Sequence, residues 1–292
     1  MTKPGDSLGA YRIVERIGKG SVGLVWRATD SWNKVFAVKQ ISPENFKERR
    51  RRSRFKREAL LTRKIAHPSV IRVFEYRTNA PEPYFAMEYF PGGSLRDLLA
   101  RDPGRIYGNE FFILRQVAEA LGHVHSQGIV HCDLKAANVL LGQDGSLRLI
   151  DFSMAQTRWD RLFRFGSHPE GTPNYMAPEQ VRGGRCDART DMYALGILAF
   201  ELLAKRLPFT GGSDRQIAQA HLTLPPPSLR DHVKEASPEL DAFIRRLLAK
   251  DPADRYEDMQ PVLVEITRWA HSGSRIRRYQ SRAPELNATP QR

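Results

Sequence analysis

Cysteine is nearly missing from this chain of 292 residues: only Cys132 and Cys186 occur, and neither stands in a CxxC or Cys/His spacing. A disulfide framework and a structural zinc site are therefore not expected, and a reducing, cytoplasmic setting is. Long apolar runs are missing as well. The longest, around Ala194–Ala204, includes Glu201 and is too short to span a bilayer. Met1 to Gly9 are polar and lack the apolar stretch of a signal peptide, so a soluble chain is expected. Acidic residues are in deficit, 33 Asp+Glu against 46 Lys+Arg, which sets the formal charge at +13. That excess admits nucleotide, nucleic acid, a lipid surface or an acidic protein as a partner without choosing among them.

What is present falls into two textures. From Tyr11 to about Tyr89 short β-branched runs dominate, namely Tyr11–Ile17, Gly23–Thr29, Lys34–Gln40, Ile71–Arg77 and Tyr84–Glu88, with one charged helical stretch near Pro43–Ile65. This predicts a small sheet with one helix. After Pro91 the period becomes helical: Phe111, Phe112, Leu114, Val117, Ala118, Leu121, Val124 and His125 recur at about 3.6 residues, as do Tyr193, Ile197, Phe200 and Leu203–Ala204. The junction is expected near Met87–Gly93. Residues 272–292 are polar and Arg-rich, with the composition of a mobile tail.

The first chemical signal is Ile17-Gly18-Lys19-Gly20-Ser21-Val22-Gly23-Leu24-Val25. Glycines at 18, 20 and 23 between two strand-like runs permit a tight hairpin whose backbone can approach phosphate oxygens, although a Gly-rich hairpin with no ligand fits equally. A dinucleotide fingerprint is disfavoured, because its third glycine opens a helix. Sixteen residues beyond Gly23 comes Lys39, in Val35-Phe36-Ala37-Val38-Lys39. Strand alternation puts Ala37 and Lys39 on one face. In the following helix Glu58 shares a face with Phe55, Leu61, Thr62 and Ile65. An inward carboxylate needs a cation, and Lys39 is the candidate; an edge-strand surface lysine is the alternative.

The most specific segment is His131-Cys132-Asp133-Leu134-Lys135-Ala136-Ala137-Asn138-Val139-Leu140-Leu141, followed by Leu147-Arg148-Leu149-Ile150-Asp151-Phe152-Ser153. The two apolar runs, joined by Gly142-Gln143-Asp144-Gly145, predict an antiparallel hairpin. Folding at that turn sets Asn138 opposite residues 149 to 151. Asn138 and Asp151 then converge at about 5 Å by ordinary strand spacing, with Asp133 and Lys135 on the loop leading in. Such hard oxygen donors suit Mg²⁺, which takes one or two protein carboxylates together with phosphate and water.

In these motifs the chain resembles the eukaryotic-type (Hanks-type) serine/threonine protein kinases, from about Tyr11 to Trp269 and in order. The resemblance implies an α+β fold of two lobes: an antiparallel-sheet lobe with one helix over 11–88, a mainly helical lobe over 92–271, and an extension over 1–10. It implies ATP and Mg²⁺ as cofactors. Ile17, Gly18, Gly20, Gly23, Val25, Ala37 and Leu140 would surround the nucleotide, Lys39 would anchor its phosphates with Glu58 as helix partner, Met87 would sit at the gatekeeper position, and Glu88 and Tyr89 would open the hinge. Asp133 corresponds to the catalytic base, Lys135 to the lysine near the transferred phosphoryl, and Asn138 and Asp151 to the metal ligands. Gly171-Thr172-Pro173-Asn174-Tyr175-Met176-Ala177-Pro178-Glu179 resembles the end of an activation segment. By the same analogy Asp191 braces the catalytic loop and Arg255 pairs with Glu179. Lys135 and Thr172 point to serine/threonine hydroxyls of proteins as acceptors.

Two positions depart from the family pattern: Cys132 stands where an arginine is usual, and Ser153 where glycine is usual. Neither removes a catalytic group. Cys132 cannot pair with a phosphate on the activation segment, so phosphorylation at Thr157 or Ser167 is expected to matter little. The run Lys47–Arg57, eight basic residues in eleven, fits a solvated helix face. The lesser reading is a dock for an acidic or phosphorylated protein, a nucleic acid or an anionic membrane, and Arg275-Ile276-Arg277-Arg278 could extend it. A nucleotide-binding pseudokinase acting as a scaffold is the alternative function. Loss of Lys39, Asp133 or Asp151 would favour it, and all three are present. A small-molecule phosphotransferase is a third reading, opposed by Lys135 and the Thr172–Glu179 segment.

Overall fold

The computed structural model describes residues 2–272 apart from 21, 80–81, 158–159 and 161–172. The activation-segment positions Arg158, Arg161, Arg164, Ser167, Gly171 and Thr172, and the tail beyond Ser272, lie outside the described residues.

Alternation of apolar side chains builds the first lobe. Strands β1 (Ser7–Leu8), β2 (Tyr11–Lys19), β3 (Gly23–Thr29), β4 (Val35–Ile41), β5 (Val73–Arg77) and β6 (Tyr84–Glu88) form an antiparallel sheet in the order β1-β2-β3-β4-β6-β5. Tyr11, Ile13, Trp26, Ala28, Phe36, Val38, Tyr84 and Ala86 pack together on one face. The other face gathers Ile41, Val73 and Phe85 with Phe55 and Ala59 of the helix laid across it. Period two thus sends Phe36 and Val38 to the first cluster and leaves Ala37 and Lys39 facing the helix side.

Three details differ from the sequence expectation. The stretch near Pro43–Ile65 is two helices, α1 (Pro43–Lys47) and α2 (Arg49–Lys64), because Glu48 is extended at φ −86° and ψ 112°. Asn45 anchors the first by donating to the Val22 carbonyl at 2.9 Å, while Phe55 anchors the second. The run expected from Ile71 pairs as a strand only from Val73, since Ile71 N–H is taken by the Leu149 carbonyl at 3.1 Å. Residues 1–10 are not wholly an extension: Ser7–Leu8 pairs with Tyr11–Arg12, and Leu8 is buried.

The second lobe is helical: α3 (Leu95–Arg101), α4 (Glu110–Ser126), α5 (Pro178–Val181), α6 (Ala188–Ala204), α7 (Asp214–Thr223), α8 (Pro238–Leu247) and α9 (Met259–Ser272). Leu114, Val117, Leu121 and Val124 of α4 enter one core with α6 and with Val262 and Ile266 of α9. Phe112, by contrast, faces outward, with the Arg115 guanidinium over its ring at 5.4 Å. Helix α6 buries residues all round its circumference, as an all-round apolar helix must. Short strands complete the lobe: β7 (Gly92–Ser94), β8 (Ile129–Val130), β9 (Val139–Gly142), β10 (Leu147–Leu149) and β11 (Gln156–Thr157), paired as β10-β9-β7 and β11-β8. Among the described residues no helix is long and apolar enough to cross a membrane.

Candidate active site

Between the lobes lies a cleft of about 650 Å³, lined on the sheet side by Gly18, Gly20, Val25, Lys39, Glu58 and Met87 and on the helical side by Asp133, Lys135, Asn138 and Asp151. Strand β4 delivers Lys39, whose Nζ meets Glu58 Oε1 at 2.6 Å and Oε2 at 2.8 Å, both residues being buried. Asp151 Oδ1 stands 4.0 Å from the same ammonium. Burial alone would lower the Lys39 pKa, but the Glu58 and Asp151 carboxylates outweigh it and hold the ammonium above its ordinary range. Burial pushes the Glu58 carboxyl up to about 7 against the attraction of Lys39.

The glycines divide by role. A Cβ on Gly20 would meet Lys39 Cε at 3.6 Å, so that residue lies directly over the lysine. A Cβ on Gly23 would fall 2.0 Å from the Gln40 carbonyl oxygen, so Gly23 serves the close approach of β3 to β4 and does not line the cleft. Ile17 is 43% exposed on β2, whereas Ala37 is buried on β4. Glu88 spends its carboxylate on Arg148, 2.7 Å away, tying β6 to β10. Leu140 pairs with Ser94 in the neighbouring sheet.

The hairpin of β9 and β10 forms in the register expected, Val139 opposite Leu149, and Ile150 N–H donates to the Asn138 carbonyl at 2.9 Å. Asp133 then becomes a hub. Lys135 Nζ donates to its Oδ2 at 2.6 Å, and Asn138 Nδ2 donates to its backbone carbonyl at 2.8 Å and to Oδ2 at 3.1 Å. Burial raises the Asp133 pKa in spite of Lys135. For Asp151 burial pulls upward too, yet Lys39 and the Ser153 donors prevail and hold its carboxyl below the usual range. Ser153 N–H lies 3.3 Å from Asp151 Oδ1, a backbone contact that a glycine at this position would make as well.

Because the Asn138 amide nitrogen is committed to Asp133, its oxygen and the Asp151 carboxylate are what this corner offers a cation. Among the described residues no three His, Cys, Asp or Glu side chains gather into a protein cage. One carboxylate and one amide oxygen beside an ammonium fit Mg²⁺ arriving with phosphate oxygens and water. Further down, Asp191 accepts from the backbone of His131 and Cys132, each at 2.8 Å, and Arg255 meets Glu179 at 2.8 and 2.9 Å.

Residues that sequence reasoning missed also line the cleft. Ile71, Val73, Phe85 and Ile150 give it apolar walls, and Ser94, Arg96 and Asp97 add polar lining from the helical side. The signal for the last group was legible: Ser94-Leu95-Arg96-Asp97 is a helix start, with Ser94 capping Asp97 N–H at 3.1 Å.

The sequence matches the protein kinase domain family over residues 11–264. It is 33% identical over 275 residues to a probable serine/threonine-protein kinase of Streptomyces coelicolor, covering 91% of this chain and 41% of that protein. It is 32% identical over 281 residues to the serine/threonine-protein kinase PknB of Mycolicibacterium smegmatis, covering 94% and 45%. To the serine/threonine-protein kinase PrkC of Bacillus subtilis it is 31% identical over 260 residues, covering 88% and 40%. The chain thus spans less than half the length of each of these relatives. With the match running from the first long strand into the last helix, and with a buried Lys39–Glu58 pair facing Asp151 across the cleft, the chain belongs to the protein kinase domain family.

Proposed function

We propose that this protein transfers the γ-phosphoryl group of ATP to serine or threonine hydroxyls of protein substrates. The observation that carries the reading is the convergence of Lys39, Glu58, Asp133, Lys135, Asn138 and Asp151 on one cleft. Lys39 binds α- and β-phosphate oxygens, its position fixed by Glu58. Gly18 and Gly20 cover the phosphates with backbone alone. Asp133 Oδ2 is already occupied by Lys135 and Asn138, so Oδ1 orients the incoming hydroxyl and takes its proton. The new bond runs from the substrate oxygen to the γ-phosphorus, the bond from the β,γ-bridging oxygen to that phosphorus breaks, and ADP leaves. Lys135 offers its ammonium to the equatorial oxygens as charge moves between them. Asp151 and the Asn138 oxygen are the residues that would hold Mg²⁺, which when bound neutralises phosphate charge.

Met87 would wall the adenine side, and the Glu88–Tyr89 backbone at the lobe junction would hold the base. The boundaries follow the same reading: a sheet lobe over 11–88, a helical lobe over 92–271, and a basic tail over 272–292. A cytoplasmic location suits the two free, buried cysteines. For the turns of α2 that precede Glu58 the reading is an acidic or phosphorylated protein partner. Arg49, Arg50, Arg52 and Lys56 are exposed, and the first turn of α2 carries no acid to answer the helix dipole. The test of the function is incubation with labelled ATP, Mg²⁺ and a generic basic protein: label should appear on serine and threonine, and its absence would defeat the proposal.

A further inference from the structure

Helix α2 is held at two adjacent residues by partners in two different segments. Glu58 points inward to Lys39, and Arg57 reaches the stretch that follows Asp151. Arg57 Nε donates to the Ala155 carbonyl at 2.9 Å, Nη1 to Asp160 Oδ1 at 2.6 Å, and Nη2 to Asp160 Oδ2. The same carboxylate accepts Thr157 N–H at 2.8 Å and the Thr157 hydroxyl. Thr157 belongs to β11, which pairs with β8 through Thr157↔Ile129 and Gln156↔Val130, and β8 runs directly into His131–Asp133. One side chain therefore connects the helix that carries Glu58 to the loop that carries Asp133.

The charge at this junction is supplied by the chain itself. Between Ser153 and Pro169, Asp160 is the sole acidic residue, beside Arg158, Arg161 and Arg164. The Cys132 side chain supplies no cation here: it packs with Val130, Cys186 and Met154 and donates to the Val130 carbonyl. A bidentate guanidinium–carboxylate contact fixes orientation as well as distance. Rotating α2 outward would break it together with the Lys39–Glu58 pair.

We infer that Arg57 and Asp160 are positioning residues for phosphoryl transfer: their ion pair sets α2 so that Glu58 holds Lys39, and the Asp160 carboxylate does this without a phosphate on the segment. The inference rests on the kinase reading of the cleft. A phosphate on Thr157 would set a second anion against Asp160 and compete for Arg57, so modification there weakens the arrangement.

The experiment is a double-mutant cycle on phosphatase-treated protein. Arg57→Gln and Asp160→Asn should each lower kcat/KM for ATP by about tenfold, and the double variant should lose no more than the worse single. In a Glu58→Gln background the Arg57 change should add nothing, which a merely structural role would not produce. Additive losses, no loss in either single, or an unsubstituted protein that phosphatase silences and rephosphorylation at Thr157 or Ser167 restores would each overturn the inference. Hydrogen exchange across α2 is read in parallel and does not depend on transfer. Both single substitutions should loosen Lys56–Leu61 to the same extent, and unchanged protection overturns the inference by itself. Absence of phosphoryl transfer by the unsubstituted protein, together with this loosening in the two variants, counts against the kinase reading alone.

Discussion

Asp191 accepts the backbone N–H of Cys132 at 2.8 Å and so holds the residue before Asp133 at φ 63°, in the left-handed region. A non-glycine residue there costs about 1–3 kcal/mol and persists only when its surroundings over-determine it. Asp191 does so with the His131 N–H as a second donor, and its carboxylate also meets His125 Nε2 at 2.8 Å. Asp191→Ala should therefore leave two buried amides without an acceptor. We expect a loss of about 2–4 kcal/mol in stability and a fall in kcat of more than about tenfold. Urea denaturation and steady-state rates check this, and an unchanged midpoint would contradict it.

The Lys39–Glu58 pair predicts a pH dependence. With the Glu58 carboxyl pushed up to about 7, lowering the pH through that value protonates it and leaves Lys39 with the more distant Asp151. Apparent affinity for ATP should strengthen as pH rises from 6 to about 8. Glu58→Gln should bind ATP weakly and lose that step. A wild-type-like pH profile of KM for ATP in the variant would refute the assignment.

Arg255 and Glu179 make a stability prediction. Arg255 is 2% exposed and donates twice to the Glu179 carboxylate. Removing one partner strands the other charge, which costs about 3–5 kcal/mol. Glu179→Gln should melt well below the unsubstituted protein, whereas replacing both residues with apolar ones should recover part of the loss.

The sequence made the site more legible than its setting. Lys39, Glu58, Asn138 and Asp151 could be brought together because strand period, helix period and a four-residue turn are local rules, and each held in the structure. A further demand on Gly23 comes from the Gln40 carbonyl on a neighbouring strand, a contact no local pattern encodes. Glu88 was read through its backbone, while its side chain answers Arg148 sixty residues on. The break at Glu48 and the short strand at Ser7–Leu8 likewise depend on tertiary anchors, Asn45 on Val22 and Leu8 in the sheet core. Asp160, the partner of Arg57, lies 103 residues away, and no local pattern links the two.

The exposed face of α2 can be tested separately from catalysis. Replacing Arg49–Arg52 with Gln should weaken binding to an acidic or phosphorylated protein and flatten its salt dependence, while basal transfer to a peptide is preserved. Retained binding at low salt would favour a solvated face. Capture of single-stranded nucleic acid or anionic vesicles in place of the protein would redirect the assignment.

The central claim stands or falls on Asp133. Purified protein, Asp133→Asn and Asp151→Asn are each incubated with labelled ATP, Mg²⁺ and a basic protein acceptor, with nucleotide binding measured alongside. The account predicts that Asp133→Asn keeps ATP binding and loses transfer by at least about a hundredfold, whereas Asp151→Asn loses transfer and Mg-ATP affinity together. Turnover at the unsubstituted rate in Asp133→Asn would contradict it.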